Sequence, residues 1–229
     1  MSSRKLEARS QNPDRVALGA LPRAVLFDLD GTLIDSIELI VRSFQHTTAQ
    51  HLGMPLPREA IIPTIGRSLT GELERIAPGN GAELLATYRT YMFANHDTYV
   101  TVYPGIFDML AALHARGLPT GLVTSKARIS AAPSFERFLL DREMSVVVVE
   151  DDTERHKPHP DPLLHAARLL DLPPASCWYV GDSTHDMIAA RAAGMAGIAA
   201  LWGPYTRAEL EPLADAVTAT PADLLALLQ

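Results

Sequence analysis

The chain has 229 residues, of which 47% are apolar and 21% are charged, and its formal net charge at pH 7 is -7. This length and balance predict one sizeable globular core with a smaller unit attached to it. The charged residues include no basic block, so a nucleic acid is disfavoured as the main partner and a small soluble substrate is favoured.

The sequence favours a cytoplasmic location. Cys177 is the single cysteine, so no intrachain disulfide can form, and its apolar neighbours predict a buried thiol. No apolar run approaches the roughly 20 residues needed to cross a bilayer, so no membrane partner is expected. The polar start of the chain lacks the apolar segment of a signal peptide, and residues 1–21 are predicted to form a flexible tail.

The first predicted strand covers residues 24–27, an apolar run that stops at a cluster of Asp, Gly and Thr. Apolar residues then recur at helical spacing over 37–52, and helical patterns continue over 71–76 and 82–96. No strand is predicted within this block. We therefore interpret residues 35–101 as a helical insertion placed directly after the first strand.

From Tyr103 onward, helical and strand patterns alternate along the chain. The predicted strands are 118–123, 146–149, 178–180 and 198–201, and the predicted helices are 105–116, 128–139, one from Asp161, one ending before Gly194, and one after Thr220. Such alternation predicts right-handed βαβ units. The predicted fold class is α/β, with a Rossmann-like parallel sheet core that has helices on both faces and an inserted all-α unit.

Side chains that could take part in catalysis or ligand binding follow four of the predicted strands. An open parallel sheet binds its ligands at these strand ends. They are Asp28 and Asp30 after the first strand, Thr124, Ser125 and Lys126 after the second, Lys157 beyond the third, and Asp182 and Asp186 after the fourth. Clustered carboxylates would repel one another without a hard divalent cation, and oxygen ligands favour Mg²⁺ over Zn²⁺. Mg²⁺ beside a lysine and a hydroxyl favours phosphoryl transfer to a carboxylate nucleophile.

In this order, the residues resemble the four motifs of the haloacid dehalogenase superfamily of phosphatases. The stretch from Asp28 to Leu33 resembles the first motif, which implies that Asp28 is the nucleophile and a metal ligand. The resemblance also implies that Asp30 is the acid and base of the reaction, with its backbone carbonyl on Mg²⁺. By the same resemblance, Asp182 would bind the metal and Asp186 would support it through metal-bound waters.

The resemblance assigns the remaining strand-end residues to the substrate. Thr124 and Lys157 are implied to be catalytic residues that hold the phosphoryl group, and Thr32 and Ser125 are expected to bind substrate beside them. Ser125 departs from this branch, which usually has asparagine there, but a short hydroxyl can still bond phosphate.

Within the superfamily, the helical insertion resembles the smaller, all-helical cap, so we expect a core of residues 22–34 and 102–229 and a cap of residues 35–101. Three stretches resemble the branch of phosphoglycolate phosphatases and bacterial inorganic pyrophosphatases, namely 65–69, 88–91 and 96–97. Arg67, in the first of these, is a candidate for binding a substrate anion, and a solvent-exposed position is the alternative. The implied activity is Mg²⁺-dependent hydrolysis of a small phosphate ester or anhydride, phosphoglycolate-like or pyrophosphate, through an aspartyl-phosphate.

Four other interpretations of the acidic stretch exist, and the sequence argues against three of them. A calcium-binding loop that starts at Asp28 would place Leu33 and Leu39 where the loop needs glycine and glutamate. A non-enzymatic phospho-acceptor module is far shorter and has no cap, and a carbon-halogen hydrolase lacks the second acid, Asp30. A sugar-phosphate mutase of the same fold would use the same core residues and stays open, as does the oligomeric state.

Overall fold

The computed structural model describes Leu18 and residues 21–229. Its strands, in chain order, are β1 (Ala24–Phe27), β2 (Ile34–Asp35), β3 (Thr101–Val102), β4 (Thr120–Val123), β5 (Val146–Val148), β6 (Cys177–Gly181), β7 (Ala196–Ala200) and β8 (Ala216–Thr218). Six of them form one parallel sheet in the order β5-β4-β1-β6-β7-β8. The predicted tail, residues 1–21, lies outside the described residues except for Leu18 and Leu21.

Ten α-helices and four short 3₁₀ helices connect these strands within the described part of the chain. The α-helices are α1 (Ile37–Leu52), α2 (Arg58–Ile61), α3 (Leu69–Ile76), α4 (Gly81–Tyr99), α5 (Ile106–Ala115), α6 (Arg128–Phe138), α7 (Asp161–Leu169), α8 (Thr184–Ala193), α9 (Arg207–Leu210) and α10 (Pro221–Ala226). The 3₁₀ helices are Ile62–Thr64, Leu140–Glu143, Glu150–Asp152 and Pro174–Ser176.

The central strand β1 is buried on both faces, which explains why its sequence is an unbroken apolar run. Val25 and Phe27 belong to the core on one face, which also receives α5, α6 and α10. Ala24 and Leu26 belong to the core on the opposite face, which receives α7 and α8. This alternation follows from the two-residue period of a strand. The predicted α/β class, with a parallel sheet and helices on both faces, is confirmed.

The helices α1 to α4 lie between β2 and β3 in the chain and pack chiefly on one another. The Phe44 ring on α1 meets the Tyr88 ring on α4 edge to face, with centroids 5.1 Å apart. β2 and β3 pair antiparallel, Ile34 with Val102 and Asp35 with Thr101. The sequence predicted neither this ribbon nor β8. β2 and β3 have only two residues each, and β8 lacks an unbroken valine run such as the one that marks β5.

Two predictions about the chain's environment can be compared with the structure. Cys177 is fully buried at the start of β6, as its apolar neighbours predicted. Among the described residues, every helix is too short or too polar to cross a bilayer. The cytoplasmic location itself stays a prediction.

Leu26 offers a test of how much the sheet core contributes to stability. Its side chain is fully buried on β1, whereas the Leu169 side chain at the end of α7 is 58% exposed. We expect Leu26→Ala to lower the free energy of unfolding by about 2–5 kcal/mol, through lost burial and the cavity left behind. The matched change Leu169→Ala should cost less than about 1 kcal/mol. Urea denaturation of both variants checks this, and equal losses would contradict the assigned core.

Candidate active site

Four neighbouring strands of the sheet bring the predicted site residues together. The strands β5, β4, β1 and β6 are adjacent, so the segments that follow them meet at one edge of the sheet. Asp28, Thr124, Lys157 and Asp182, one from each segment, are each no more than 3% exposed. Burial of four polar side chains at one place is costly unless they satisfy one another or bind a ligand.

Lys157 lies at the centre of this group. Its Nζ is 2.8 Å from Asp28 Oδ1 and 2.7 Å from Asp186 Oδ1, and it donates to the Tyr179 hydroxyl at 2.9 Å. Tyr179 in turn donates to the backbone carbonyl of Val123 at 2.8 Å. Burial alone would lower the pKa of Lys157, but the charges of Asp186 and Asp28 outweigh it and raise that pKa above its ordinary value. Lys157 therefore carries a fixed positive charge.

Three buried carboxylates form an acidic cluster around this lysine. Asp28, Asp182 and Asp186 each offer an oxygen, and these oxygens lie within 4.8 Å of one another. Burial, aided by the charge of Asp186, raises the pKa of Asp28 to about 7, although Lys157 acts in the opposite direction. Burial and the charges of Asp186 and Asp28 also raise the pKa of Asp182 well above its ordinary value.

The acidic cluster fits a divalent cation. Asp182 Oδ2 is buried and has no hydrogen-bond partner among the described residues. A single lysine does not balance three carboxylates, and their mutual repulsion adds to burial in raising the pKa of Asp28 and of Asp182. An oxygen-only donor set of this charge suits Mg²⁺.

Close contacts fix the two carboxylates that follow β6. Thr32 donates to Asp182 Oδ1 at 2.8 Å, and a Cβ at Gly31 would come within 2.3 Å of Asp182 Oδ2. The backbone N–H and the hydroxyl of Ser183 donate to Asp186 Oδ2 at 3.0 and 2.6 Å, in a capping box at the start of α8. Thr32 was predicted to bind substrate. The structure shows it fully buried and donating to Asp182, so its hydroxyl orients that carboxylate, while substrate binding by Thr32 stays a prediction.

Asp30 occupies a different environment from Asp28. Its Oδ1 accepts hydrogen bonds from Ser36 Oγ at 2.5 Å and from Lys126 Nζ at 2.7 Å. The sequence placed Lys126 after the second predicted strand, beside Thr124 and Ser125, but gave it no role, and it gave none to Ser36 or Tyr179. Such partners could be found only from the three-dimensional contacts, since nothing in their spacing marks them.

A pocket lies between this edge of the sheet and the helices α1, α3 and α4. From the sheet side it is lined by Asp28, Asp30, Thr124 and Ser125. The helical side contributes mostly apolar side chains together with a few charged ones, namely Ile40, Phe44, Ile65, Leu69, Tyr88, Met92, Arg67, Glu72 and Arg89. A small ligand in this pocket would therefore contact the sheet edge and the helical segment at the same time.

Arg67 lies in the turn before α3, where the helical segment touches the sheet domain. Its Nε is 3.2 Å from His185 Nε2, its Nη1 is 3.9 Å from Glu72 Oε2, and its side chain is 47% exposed. The next residue, Ser68, donates to Glu150, which follows β5. Arg67 lines the pocket and is also partly exposed to solvent. Its position is therefore compatible with both predictions, binding of a substrate anion and exposure to solvent.

Comparison with known proteins decides which family uses this arrangement. The family model for haloacid dehalogenase-like hydrolases matches residues 25–200. The chain belongs to this family. The predicted resemblance, and the prediction that the chain is a phosphatase, are confirmed.

Similar proteins cover most of this haloacid dehalogenase-like hydrolase. Pyrophosphatase PpaX from Bacillus mycoides is 38% identical over 205 residues, which cover 89% of this chain and 95% of that one. The crystal structure of a hydrolase from Pseudomonas syringae superposes with a TM-score of 0.81 at 28% identity, covering 89% and 96% of the two chains. The structure of a protein assigned as a phosphoglycolate phosphatase, from Lactobacillus plantarum, has a TM-score of 0.79 at 25% identity, covering 91% and 100%.

Gly31 provides a test of how tightly Asp182 is held. Gly31 and Gly79 both have φ of +84°, but a Cβ at Gly79 would meet no atom within 4 Å. Each change to Ala should lower the free energy of unfolding by about 1–2 kcal/mol, because the backbone of both glycines is in the left-handed region that disfavours a side chain. Only Gly31→Ala should also displace Asp182, and we expect it to lower kcat/KM for phosphate release at least about tenfold, since active-site displacements of this size are costly. Equal activity of the two variants would contradict this picture of the site.

Proposed function

We propose that this family member is a Mg²⁺-dependent phosphatase that hydrolyses a small phosphate ester or anhydride, phosphoglycolate-like or pyrophosphate, through an aspartyl-phosphate on Asp28. The observation that carries the proposal is the position of Asp28, buried against Lys157 and also lining the pocket. A carboxylate in that position faces a bound substrate while its charge is balanced from behind. The named activity of the Bacillus relative, a pyrophosphatase, supports the choice of substrate class.

In this proposal, the carboxylates of Asp28 and Asp182 and the backbone carbonyl of Asp30 would hold the metal. Asp186, which is paired with Lys157, would support the site through water bound to the metal. The unpartnered Oδ2 of Asp182 and the excess of negative charge in the acidic cluster agree with this set of ligands. When bound, Mg²⁺ would neutralise charge on the phosphoryl oxygens.

The reaction takes place in two steps at Asp28. A carboxylate oxygen of Asp28 attacks phosphorus, the bond from phosphorus to the leaving oxygen breaks, and Asp30 gives that oxygen a proton. Water then attacks the phosphorus of the aspartyl-phosphate, Asp30 takes a proton from the water, and the bond from phosphorus to Asp28 breaks. The hydrogen bonds from Ser36 and Lys126 would hold Asp30 in position between these transfers.

The transferred phosphoryl group would be held by Thr124, Ser125 and Lys157. The Ser125 hydroxyl is buried, lines the pocket and has no hydrogen-bond partner among the described residues, so it is free to donate to phosphate. Lys157 supplies a positive charge next to Asp28, where an attacking carboxylate and a phosphoryl group come together. Both residues therefore suit the negatively charged oxygens of a phosphoryl group.

We further propose that residues 35–101 act as a cap on a core of residues 22–34 and 102–229. The pocket lies between the two parts, so a substrate needs a way in. The ribbon of β2 and β3 joins the parts on one side, and the contacts Ser68 to Glu150 and Arg67 to His185 join them on the other. Breaking the polar contacts while the ribbon bends would open the pocket, and closing it would exclude bulk water.

The nucleophile can be tested with Asp28→Asn, which keeps the shape of the side chain and removes its charge. We expect kcat for phosphate release to fall by at least about 10⁴-fold, because an amide cannot form the aspartyl-phosphate. The fold should survive, since the change relieves repulsion with Asp186.

The control is Asp108→Asn on the exposed side of α5, which should keep full activity. The thermal midpoint of Asp28→Asn should drop by less than about 4 °C, which corresponds to about 1 kcal/mol for a chain of this size. Phosphate release at the unsubstituted rate would rule out Asp28 as the nucleophile. If the unsubstituted protein converts its substrate into an isomer that keeps the phosphate, instead of releasing phosphate, the mutase alternative is favoured.

The metal can be tested by thermal unfolding with and without Mg²⁺ at matched ionic strength. At 100 times its Kd, Mg²⁺ should stabilise the protein by about 2.7 kcal/mol, and the midpoint should rise by about 5–10 °C. Asp182→Asn should lose most of this shift, and EDTA should abolish phosphate release. If Mg²⁺ moves neither the midpoint nor the rate, the proposed metal dependence is wrong.

A further inference from the structure

The carboxylates that line the pocket already have partners within the protein. The pairs are Asp28 with Lys157, Asp30 with Lys126, Glu72 with Arg75, and Glu150 with Ser68. Arg67 is likewise engaged, with His185 Nε2 at 3.2 Å. A cation that lines the same pocket without such a partner would be available to a ligand.

Arg89 is a cation of this kind. It lies in the middle of α4 and lines the pocket between the buried side chains of Tyr88 and Met92. Its Nε is buried and has no hydrogen-bond partner among the residues that the structure describes. A guanidinium group is always charged, and burying one of its donors without an acceptor costs free energy. An anionic ligand would remove that cost.

Ser130, in the first turn of α6, is another group that lines the pocket without a hydrogen-bond partner among the described residues. Its side chain is 2% exposed, it lines the pocket, and its Oγ has no hydrogen-bond partner in the described chain. The first turn of a helix of 11 residues carries the positive end of the helix dipole. A hydroxyl in this position is suited to donate to an oxyanion.

The packing of α4 on α6 brings these two residues to the same side. The helices meet where His96 Nε2 lies 2.9 Å from Ser134 Oγ. Arg89 precedes His96 by seven residues, or two turns, and Ser130 precedes Ser134 by four residues, or one turn, so each shares the face of the residue that makes this contact. Arg89 and Ser130 also line the same pocket.

We propose that Arg89 and Ser130 form a subsite for a second anionic group of the substrate, separate from the phosphoryl group that Asp28 attacks. The substrate is then a small phosphate compound whose leaving part carries a carboxylate or another phosphate. The guanidinium fork can donate two parallel hydrogen bonds to either group. A neutral leaving part would leave both residues unsatisfied, so the site selects against it.

This inference rests on the proposed function, and it is tested by binding instead of turnover. The background is the Asp28→Asn protein with Mg²⁺ present, so that ligands are not consumed. Isothermal titration calorimetry would compare phosphoglycolate, pyrophosphate and 2-hydroxyethyl phosphate, which has a neutral alcohol in place of the second anion. The added changes are Arg89→Gln, Arg89→Lys and Ser130→Ala, with Arg42→Gln on the exposed face of α1 as the matched control.

Arg89→Gln should weaken binding of phosphoglycolate and pyrophosphate by about ten- to a hundredfold, the range for a lost charge-assisted hydrogen bond. Arg89→Lys should weaken it less, because the charge stays and the fork is lost. Ser130→Ala should have a smaller effect in the same direction. None of the changes should alter binding of 2-hydroxyethyl phosphate, and Arg42→Gln should alter no affinity.

Equal weakening of all three ligands by Arg89→Gln, or no weakening of any, would overturn the subsite. A difference between phosphoglycolate and pyrophosphate in these losses would identify which second anion the subsite prefers and would support it. Failure of the proposed function looks different: the unsubstituted chain would release no phosphate from any of the three compounds. In the chain that keeps Asp28, release of phosphate from phosphoglycolate and pyrophosphate that is insensitive to Arg89→Gln would leave the proposed function standing and reject this inference alone.

Discussion

The site depends on one buried cation, the Lys157 ammonium between Asp28 and Asp186. Taking these charges out of water is costly, and the cost is tolerable only because the geometry is close and the remaining donors are used. The Tyr179 hydroxyl accepts a hydrogen bond from Lys157 and donates one to the carbonyl of Val123, so it satisfies one of the remaining donors of Lys157. The lysine thereby links β6, the end of β4 and the segment after β1 into one polar layer beneath the pocket.

The three carboxylates of the acidic cluster carry more negative charge than the Lys157 ammonium can balance. This excess suits the cluster to bind a cation. Asp182 is held by Thr32 on one oxygen and is confined by Gly31 next to the other, so the acid cannot turn away from its neighbours. An acidic cluster that cannot relax needs a cation to stabilise it. The same geometry that costs stability in the free protein would favour the metal, the phosphoryl group and the reaction.

The helical segment adds specificity to this general chemistry. Its apolar residues shape the pocket, while Arg89 and Arg67 reach into it from α4 and from the turn before α3. In the proposed function, the sheet edge would contact only the phosphoryl group and would accept any phosphate compound. Selection among such compounds would then depend on the helical segment and on Ser130, which lines the same pocket.

The sequence by itself determined the α/β class, the strand ends that carry Asp28, Thr124, Lys157 and Asp182, and the family, because parallel strands place their following residues at one edge. It missed the two-residue strands β2 and β3, and it missed β8, which lacks a valine run like that of β5. Only the tertiary structure decided which groups are paired: Lys126 with Asp30 and Thr32 with Asp182, whereas Arg89 Nε has no partner among the described residues. Such pairings depend on distances between residues far apart in the chain, and local sequence patterns do not predict those distances.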